Sequence, residues 1–172
     1  LSSGERTNPW MQESSNKIIQ QGEIVSFDTD MVGPYGYCAD ISRTFVCGND
    51  FNKNQKALYS MSLEQINHNS NLIKADISFR EFSEKSWKLP EEYYGNRYSV
   101  MVHGIGLCDE WPSIRYPTDG GDKSGRFLKN MTITVESYIG KVGGKEGVKL
   151  EQQYLVGENG LELMSHHPLE DI

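Results

Sequence analysis

No stretch of this sequence approaches the roughly 18 consecutive apolar residues of a membrane-spanning helix, and that pattern excludes a transmembrane helix. Basic residues are few. Against 24 Asp and Glu stand 17 Lys and Arg, a net charge of −7, and no Lys/Arg cluster makes the positive footprint of a nucleic-acid binder. Cysteine is limited to Cys38, Cys47 and Cys108. The odd count and the absence of zinc-type spacing indicate free thiols in a reducing, cytoplasmic setting. No segment has the pattern of a secretory leader. Histidine is scarce too, and none lies between Asn69 and Val102.

Acid is plentiful, and it is placed in pairs. Phe27 to Phe45 reads as a β-hairpin: EIVSFDTDM is apolar and β-branched, VGPYG is turn chemistry, and YCADISRTFV is extended again. On a strand, Asp28 and Asp30 share one face. A fold about Tyr35 sets Asp30 opposite Asp40, with Cβ atoms about 5 Å apart. Facing carboxylates oppose the fold unless a cation neutralises them, and carboxylate oxygens suit hard or borderline divalent metals. TITVESYIG and EGVKLEQQYLV repeat the logic: a turn centred between Gly143 and Gly144 sets Glu136 opposite Glu151. His103, in MVHGIG, lies between the hairpins in sequence as a candidate imidazole ligand. Asp28, Asp30, Asp40, His103, Glu136 and Glu151 together suffice for two metal ions, which typically sit about 3.5–4 Å apart. Iron, manganese, zinc and cobalt all suit such a set.

With 172 residues, the chain has the size of one ordinary domain with its own core. Residues 49–73 read as a helix capped by Asn52, with an apolar stripe of Leu58, Met61, Leu63, Ile66 and Ile73; His68 reads as a solvated helix residue. A second helix starts at Ser78 and stops before Pro90. YSVMVHGIGL reads as a short strand ending in a glycine loop, and residues 108–127 as a long irregular segment of the kind that often carries function. SSGERTNPW reads as a loop, either a plain surface loop or part of a substrate pocket. His166 and His167 are tail residues whose side chains diverge on an extended chain. Arg43 is either an outer partner of the carboxylates or a structural salt bridge.

DISRTF, HGIGL with its following E and P, and GVKLEQQYLV resemble the creatinase/aminopeptidase family. The resemblance runs from about Thr7 to Ser165. It implies an α+β "pita-bread" fold, a curved antiparallel sheet covered by helices. Residues 1–172 are then expected to be a single catalytic domain, incomplete at its amino-terminal side, where relatives carry a further domain and helices. Peptidases of this family carry an Asp-x-Gly pattern at the first metal-binding aspartate, whereas here aspartates flank Thr29. They also carry HGIGLxxHExP, whereas this chain reads HGIGLCDEWP, one residue shorter, with Asp109 where the second His belongs. An upstream histidine is missing as well. Amide hydrolysis needs groups that stabilise an oxyanion and protonate the leaving amine, so these departures count against an Xaa-Pro aminopeptidase or prolidase, the alternative reading.

The same departures resemble the dimethylsulfoniopropionate (DMSP) lyase branch, which makes dimethyl sulfide and acrylate. That resemblance implies Asp28, Asp30, Asp40, His103, Glu136 and Glu151 as metal ligands, Asp109 as the base, iron as the metal and a homodimer as the assembly. Taken without it, Asp109 could equally cap a turn or pair with Arg115. β-Elimination removes a proton α to a carboxylate. An aspartate at its ordinary pKa of about 3.9 is a weak base, so the site is expected to raise that of Asp109. Trp10, Tyr98, Trp111 and Tyr116 are candidate pocket rings, because aromatic faces attract a sulfonium as they do quaternary ammonium. The expected partner is a small-molecule substrate, with no nucleic acid and no membrane.

Overall fold

The structure, a computed structural model, describes residues 1–10, 12–48 and 50–170. In chain order its elements are β1 (Ser2–Ser3), a 3-10 turn (Gly4–Thr7), β2 (Ile24–Asp28), β3 (Met31–Val32), a second 3-10 turn (Pro34–Gly36), β4 (Cys38–Ala39), β5 (Ser42–Val46), α1 (Lys53–Leu72), α2 (Phe79–Lys85), α3 (Glu91–Tyr94), β6 (Val100–Gly104), β7 (Ser113–Arg115), β8 (Thr132–Gly140), β9 (Gly147–Val156) and β10 (Leu161–Leu163). All strand pairs are antiparallel. Among the described residues, no helix is long and apolar enough to cross a membrane.

The helices begin where side chains can satisfy their free N–H groups. Asn52 accepts from Asn54 N and Gln55 N, while Gln55 Oε1 accepts from Asn52 N at 2.9 Å, a reciprocal capping box. Ser78 caps α2 through Glu81 N. The α1 helix lies on the long hairpin β8–β9 and buries Leu58, Tyr59 and Ile66 against Ile139, Val148 and Leu150. A second apolar cluster gathers Phe79, Phe82 and Phe127 with Met101, Val102, Ile114, Ile133 and Val135. Strand alternation then decides the site. Ile133, Val135 and Ile139 point into the apolar clusters, so Glu136 and the residues facing it point out of the opposite face.

A single curved sheet does not form. The strands make three sheets: β1-β2-β5, an open five-stranded sheet β10-β9-β8-β6-β7, and the ribbon β3-β4. The seams have a physical cause in side chains that occupy ladder positions. Thr44 Oγ1 donates to Lys149 O at 2.7 Å and accepts from Lys149 N at 3.2 Å, so β5 meets β9 through a hydroxyl instead of a backbone ladder. Thr29 Oγ1 does the same toward Ile41 O and Ile41 N, at 3.1 and 3.4 Å, and separates the ribbon from β2–β5. The sheet therefore stays open and uncurled, which corrects the expectation of one curved layer.

Two further segments depart from the reading of the sequence. Residues 108–127 are not wholly irregular, because β7 lies among them and pairs with β6. The opening segment is not a plain surface loop. Ser2, Ser3, Thr7 and Asn8 are buried, β1 pairs with β2, and Tyr138 Oη lies 2.9 Å from both Thr7 O and Asn8 Oδ1.

Candidate metal centre

The first hairpin keeps one register throughout. Asp28 faces Ser42 and Met31 faces Ala39, so both ladders turn about Tyr35, which takes the left-handed conformation at φ 61°. In the second hairpin Glu136 faces Glu151. β6 sets His103 beside Thr134 of β8, on the same face as Glu136. Three strand systems thus deliver their acidic side chains and one imidazole to a common point.

His103 Nε2 lies 3.5 Å from Asp40 Oδ2, 3.4 Å from Glu136 Oε1 and 3.3 Å from Glu151 Oε1. Its Nδ1 is 3.0 Å from Gly104 O; as an N–H donor to that carbonyl, Nδ1 leaves Nε2 to the carboxylates. Three overlapping groups form, Asp28–Asp40–Glu151, His103–Glu136–Glu151 and Asp40–His103–Asp109, and within each the ligand atoms lie within 4.8 Å of one another. Asp40, His103 and Glu151 each belong to two of these groups, so the three form one continuous cluster. Ser42 Oγ donates into this cluster, contacting Asp28 closely and standing 3.0 Å from Glu151 Oε2.

The electrostatics are those of a site with more negative charge than it can hold. Burial pushes the Asp40 carboxyl up to about 7, and the charges of Glu151 and Asp28 add to it. Burial likewise raises Glu136 to about 8, against the pull of Lys149. Burial opposes ionisation of Glu151 too, but Lys149 and His103 outweigh it and hold that carboxyl at about 2. Burial would lower His103, yet Asp40, Glu151 and Glu136 overcome it and lift the imidazole to about 12. Among the described residues, buried Asp40 Oδ1, Glu136 Oε1 and Glu151 Oε1 accept no well-formed hydrogen bond, the last two having the His103 imidazole nearby. A buried acceptor left unpaired is costly, and a divalent cation satisfies all three with the oxygen-and-imidazole donor set it prefers. The residues present fit a pair of divalent metal ions.

Lys149 was not singled out in the sequence. Two residues before Glu151 on β9, it shares that residue's face, is 1% exposed, contacts Glu136 closely and stands 3.3 Å from Glu151 Oε2. Those carboxylates and Asp28 raise its ammonium well above the ordinary value despite burial. The signal was available: a lysine at a period-2 position within a strand that must be buried to bring Glu151 inward.

The remaining site candidates scatter. Asp109 Oδ1 lies 3.9 Å from His103 Nδ1 with the aspartate side chain 28% exposed, at the rim of the cluster. Asp30 is exposed and belongs to none of the three groups, although it lines a cavity of about 270 Å³ with Asp28, Trp10 and Gln12. Lys149 Nζ stands 5.8 Å from the Trp10 ring and 5.3 Å from that of Tyr98, so both rings border the cluster. Trp111 is 62% exposed and lines a different cavity with Arg80 and Arg115. Tyr116 is not a pocket ring at all. It belongs to the apolar core, and its hydroxyl accepts from Gln65 Nε2 at 2.6 Å. Among the described residues Arg43 makes no ion pair: its guanidinium donates to the carbonyls of Ser42, Glu151, His167 and Pro168 and to Gln152 Oε1, tying the tail to β5 and β9.

The chain is similar to known proteins in sequence and in fold. The chain is 41% identical over 174 residues to the dimethylsulfoniopropionate lyase DddP of Roseovarius nubinhibens, covering 99% of this chain and 39% of that protein. It is 38% identical to the enzyme of the same name from Roseobacter denitrificans, with the same coverage. The chain therefore spans about two-fifths of the length of these curated relatives. In three dimensions it resembles the prolidase of Pyrococcus horikoshii OT3, with a TM-score of 0.83, 27% identity and coverage of 99% of this chain and 48% of that one. The shared α+β pita-bread-like architecture and the convergent carboxylates are explained together by the match of residues 1–158 to metallopeptidase family M24, to which this chain belongs.

Proposed function

We propose that this chain carries the catalytic centre of a metal-dependent DMSP lyase, which cleaves dimethylsulfoniopropionate to dimethyl sulfide and acrylate. The observation that carries the reading is the placement of Asp109. A carboxylate stands 3.9 Å from His103 Nδ1 at the rim of the cluster, where hydrolysis of an amide would call for a histidine. The two dimethylsulfoniopropionate lyases that are 41% and 38% identical to this chain support the same substrate. Prolidase architecture favours a second reading, an Xaa-Pro peptidase, which the missing histidines oppose.

Asp28, Asp30, Asp40, His103, Glu136 and Glu151 would hold two divalent metal ions, with iron the proposed metal. Such ions supply positive charge that binds the substrate carboxylate and stabilises the negative charge developing on it. The Asp109 carboxylate removes the proton from the carbon next to the substrate carboxylate. The electron pair of that C–H bond becomes the new C=C bond as the C–S bond breaks, and sulfur leaves with its bonding pair as neutral dimethyl sulfide. Acrylate and a protonated Asp109 remain. Trp10 and Tyr98 border the cluster, each with the Lys149 ammonium over its ring, and are the rings proposed to meet the sulfonium. Lys149 holds Glu136 and Glu151 in place. A homodimer in the cytoplasm belongs to the same proposal.

The test is headspace detection of dimethyl sulfide from metal-loaded protein given DMSP, beside an Asp109→Ala variant and an Xaa-Pro dipeptide. Dimethyl sulfide from the parent but not from the variant is the expected result. Dipeptide cleavage without dimethyl sulfide would overturn the lyase reading.

A further inference from the structure

On the flank of the metal centre, a cavity of about 620 Å³ is lined by Arg80, Trp111, Ser113, Arg115, Asp122 and Lys123, among others. Three cations converge there from three places in the fold: Arg80 from α2, Arg115 from the end of β7, and Lys123 from the loop that follows. In a chain of net charge −7 this is an unusual concentration of positive charge. Arg80 and Lys123 also border an adjoining cavity of about 340 Å³.

The cations are not neutralised from within. Among the described residues, neither Arg80 nor Lys123 has a carboxylate within ion-pair distance, and Lys123 Nζ donates to the Pro117 carbonyl at 2.8 Å. Arg115 Nε donates to Ser113 Oγ at 3.3 Å, which orients the guanidinium without cancelling its charge. Nearby acids offset part of this charge without pairing with it: Asp122 lines the same cavity, Glu84 lines the adjoining one, and Asp119 acts on Arg115 from longer range. Asp119 is held by Arg97, and Asp122 Oδ1 accepts from Ser124 N and Ser124 Oγ at 2.9 and 3.0 Å. The wall is shaped by backbone: Gly121, at φ +83°, lies so close to β7 that a Cβ would stand 2.8 Å from Ser113 O and 3.0 Å from Arg115 Cγ. Trp111, which also lines the cavity, is 62% exposed.

We propose that this cavity binds a phosphate monoester carrying a planar ring. Arginine forks match phosphate oxygens bidentately and lysine adds a point charge. Three cations suit a dianion better than a monocarboxylate. An exposed indole beside them stacks on a flat ring, and a cavity of about 620 Å³ leaves room for one. The site is separate from the lyase reading, and its test reads binding without turnover.

Calorimetric titration of the metal-loaded protein uses phenyl phosphate, inorganic phosphate and benzoate as probes. Phenyl phosphate should bind saturably and most tightly. Arg80→Ala and Arg115→Ala should each weaken it about tenfold, as loss of a charge-assisted hydrogen bond does. Trp111→Ala should weaken phenyl phosphate while leaving inorganic phosphate unchanged. Arg80 is an exposed helix residue, so Arg80→Ala remains informative even if Arg115→Ala fails to fold. Phenyl phosphate that binds as well to the Arg80→Ala variant as to the parent lies elsewhere, the metal centre included, and overturns the site. Tighter binding of benzoate overturns the assignment to phosphate, and equal affinities for phenyl phosphate and inorganic phosphate overturn the ring. No saturable binding overturns all of it.

Discussion

Lys149 Nζ stands 3.3 Å from Glu151 Oε2, with each side chain 1% exposed. The chain therefore builds one cation of its own into the acidic cluster, in contact with Glu136 as well. A buried ion pair broken on one side leaves an uncompensated charge, which costs about 3–5 kcal/mol. Lys149→Met should lower the metal-free protein's unfolding free energy by about that amount, and Lys149→Arg by much less. Urea denaturation in the presence of a chelator checks this. Equal stability of Lys149→Met and the parent would show that the pair contributes nothing net.

Metal should stabilise the folded chain, because the unpaired oxygens of Asp40, Glu136 and Glu151 come together only when the strands assemble. Binding to the native state alone contributes about 2.7 kcal/mol at a free concentration of about 100 times Kd. For a domain of this size that is roughly 5–10 °C in Tm. Differential scanning calorimetry with Mn(II) should show the rise in the parent and its loss in Glu151→Gln. An unchanged Tm together with no bound metal in the parent would remove the metal centre.

The hairpin registers were legible in the sequence, because a turn centre and a period of two fix which residues face each other. Glu136 opposite Glu151 follows from Gly143–Gly144 alone, and Asn52 and Ser78 announced their helices in the same local way. What escaped depended on long-range hydroxyls and on solvent. Thr44 and Thr29 look like ordinary strand residues, yet their Oγ1 atoms take the ladder's place and divide the sheet. Tyr116 sits in a Pro-flanked loop without periodicity, so its burial in the core could not be read. Lys149 was passed over because a lysine is ordinarily exposed.

Arg97 grips Asp119 with two hydrogen bonds, Nε to Oδ2 at 2.7 Å and a closer one from Nη2 to Oδ1. This contact holds the Asp119 carboxyl below its ordinary value, against the opposing effect of burial. A carboxyl with a depressed folded pKa stabilises the fold fully above its unfolded value of about 3.9, and that stability is lost as pH falls through the folded value. The stability gap between the parent and Asp119→Asn should therefore be largest near neutral pH and shrink as pH drops below about 4. Urea titrations of both proteins across that range measure the gap; one that grows with acid would reverse the sign.

Gly104 ends β6 one residue after His103, and a Cβ there would stand 2.1 Å from Trp111 O and 2.7 Å from Pro112 Cδ. The loop bearing Asp109 is thus packed directly on bare backbone. Gly104→Ala should push that loop away from His103, costing about 1–3 kcal/mol of stability as overpacking does, and the proposed lyase reaction should lose proportionally more. Comparing Tm with the rate of dimethyl sulfide release separates the two effects. Full activity in this variant would mean that the loop position is not needed for the chemistry.

Asp109 itself offers the most direct discrimination between base and ligand, since its carboxylate lies within reach of both roles. A positioned general base contributes about 10²–10⁴-fold to rate. Asp109→Asn keeps the shape and the acceptance of the Glu110 N–H that Oδ1 makes at 2.9 Å, but it cannot accept the α-proton. If Asp109 acts as the base, kcat for dimethyl sulfide release should fall by about that factor while metal content, Tm and KM stay near those of the parent. If it serves mainly as a ligand, metal content should fall with activity, and added metal should restore part of the rate. Metal analysis on the same sample as the kinetics separates the cases, because only the base role predicts a fully loaded protein that is nearly inactive.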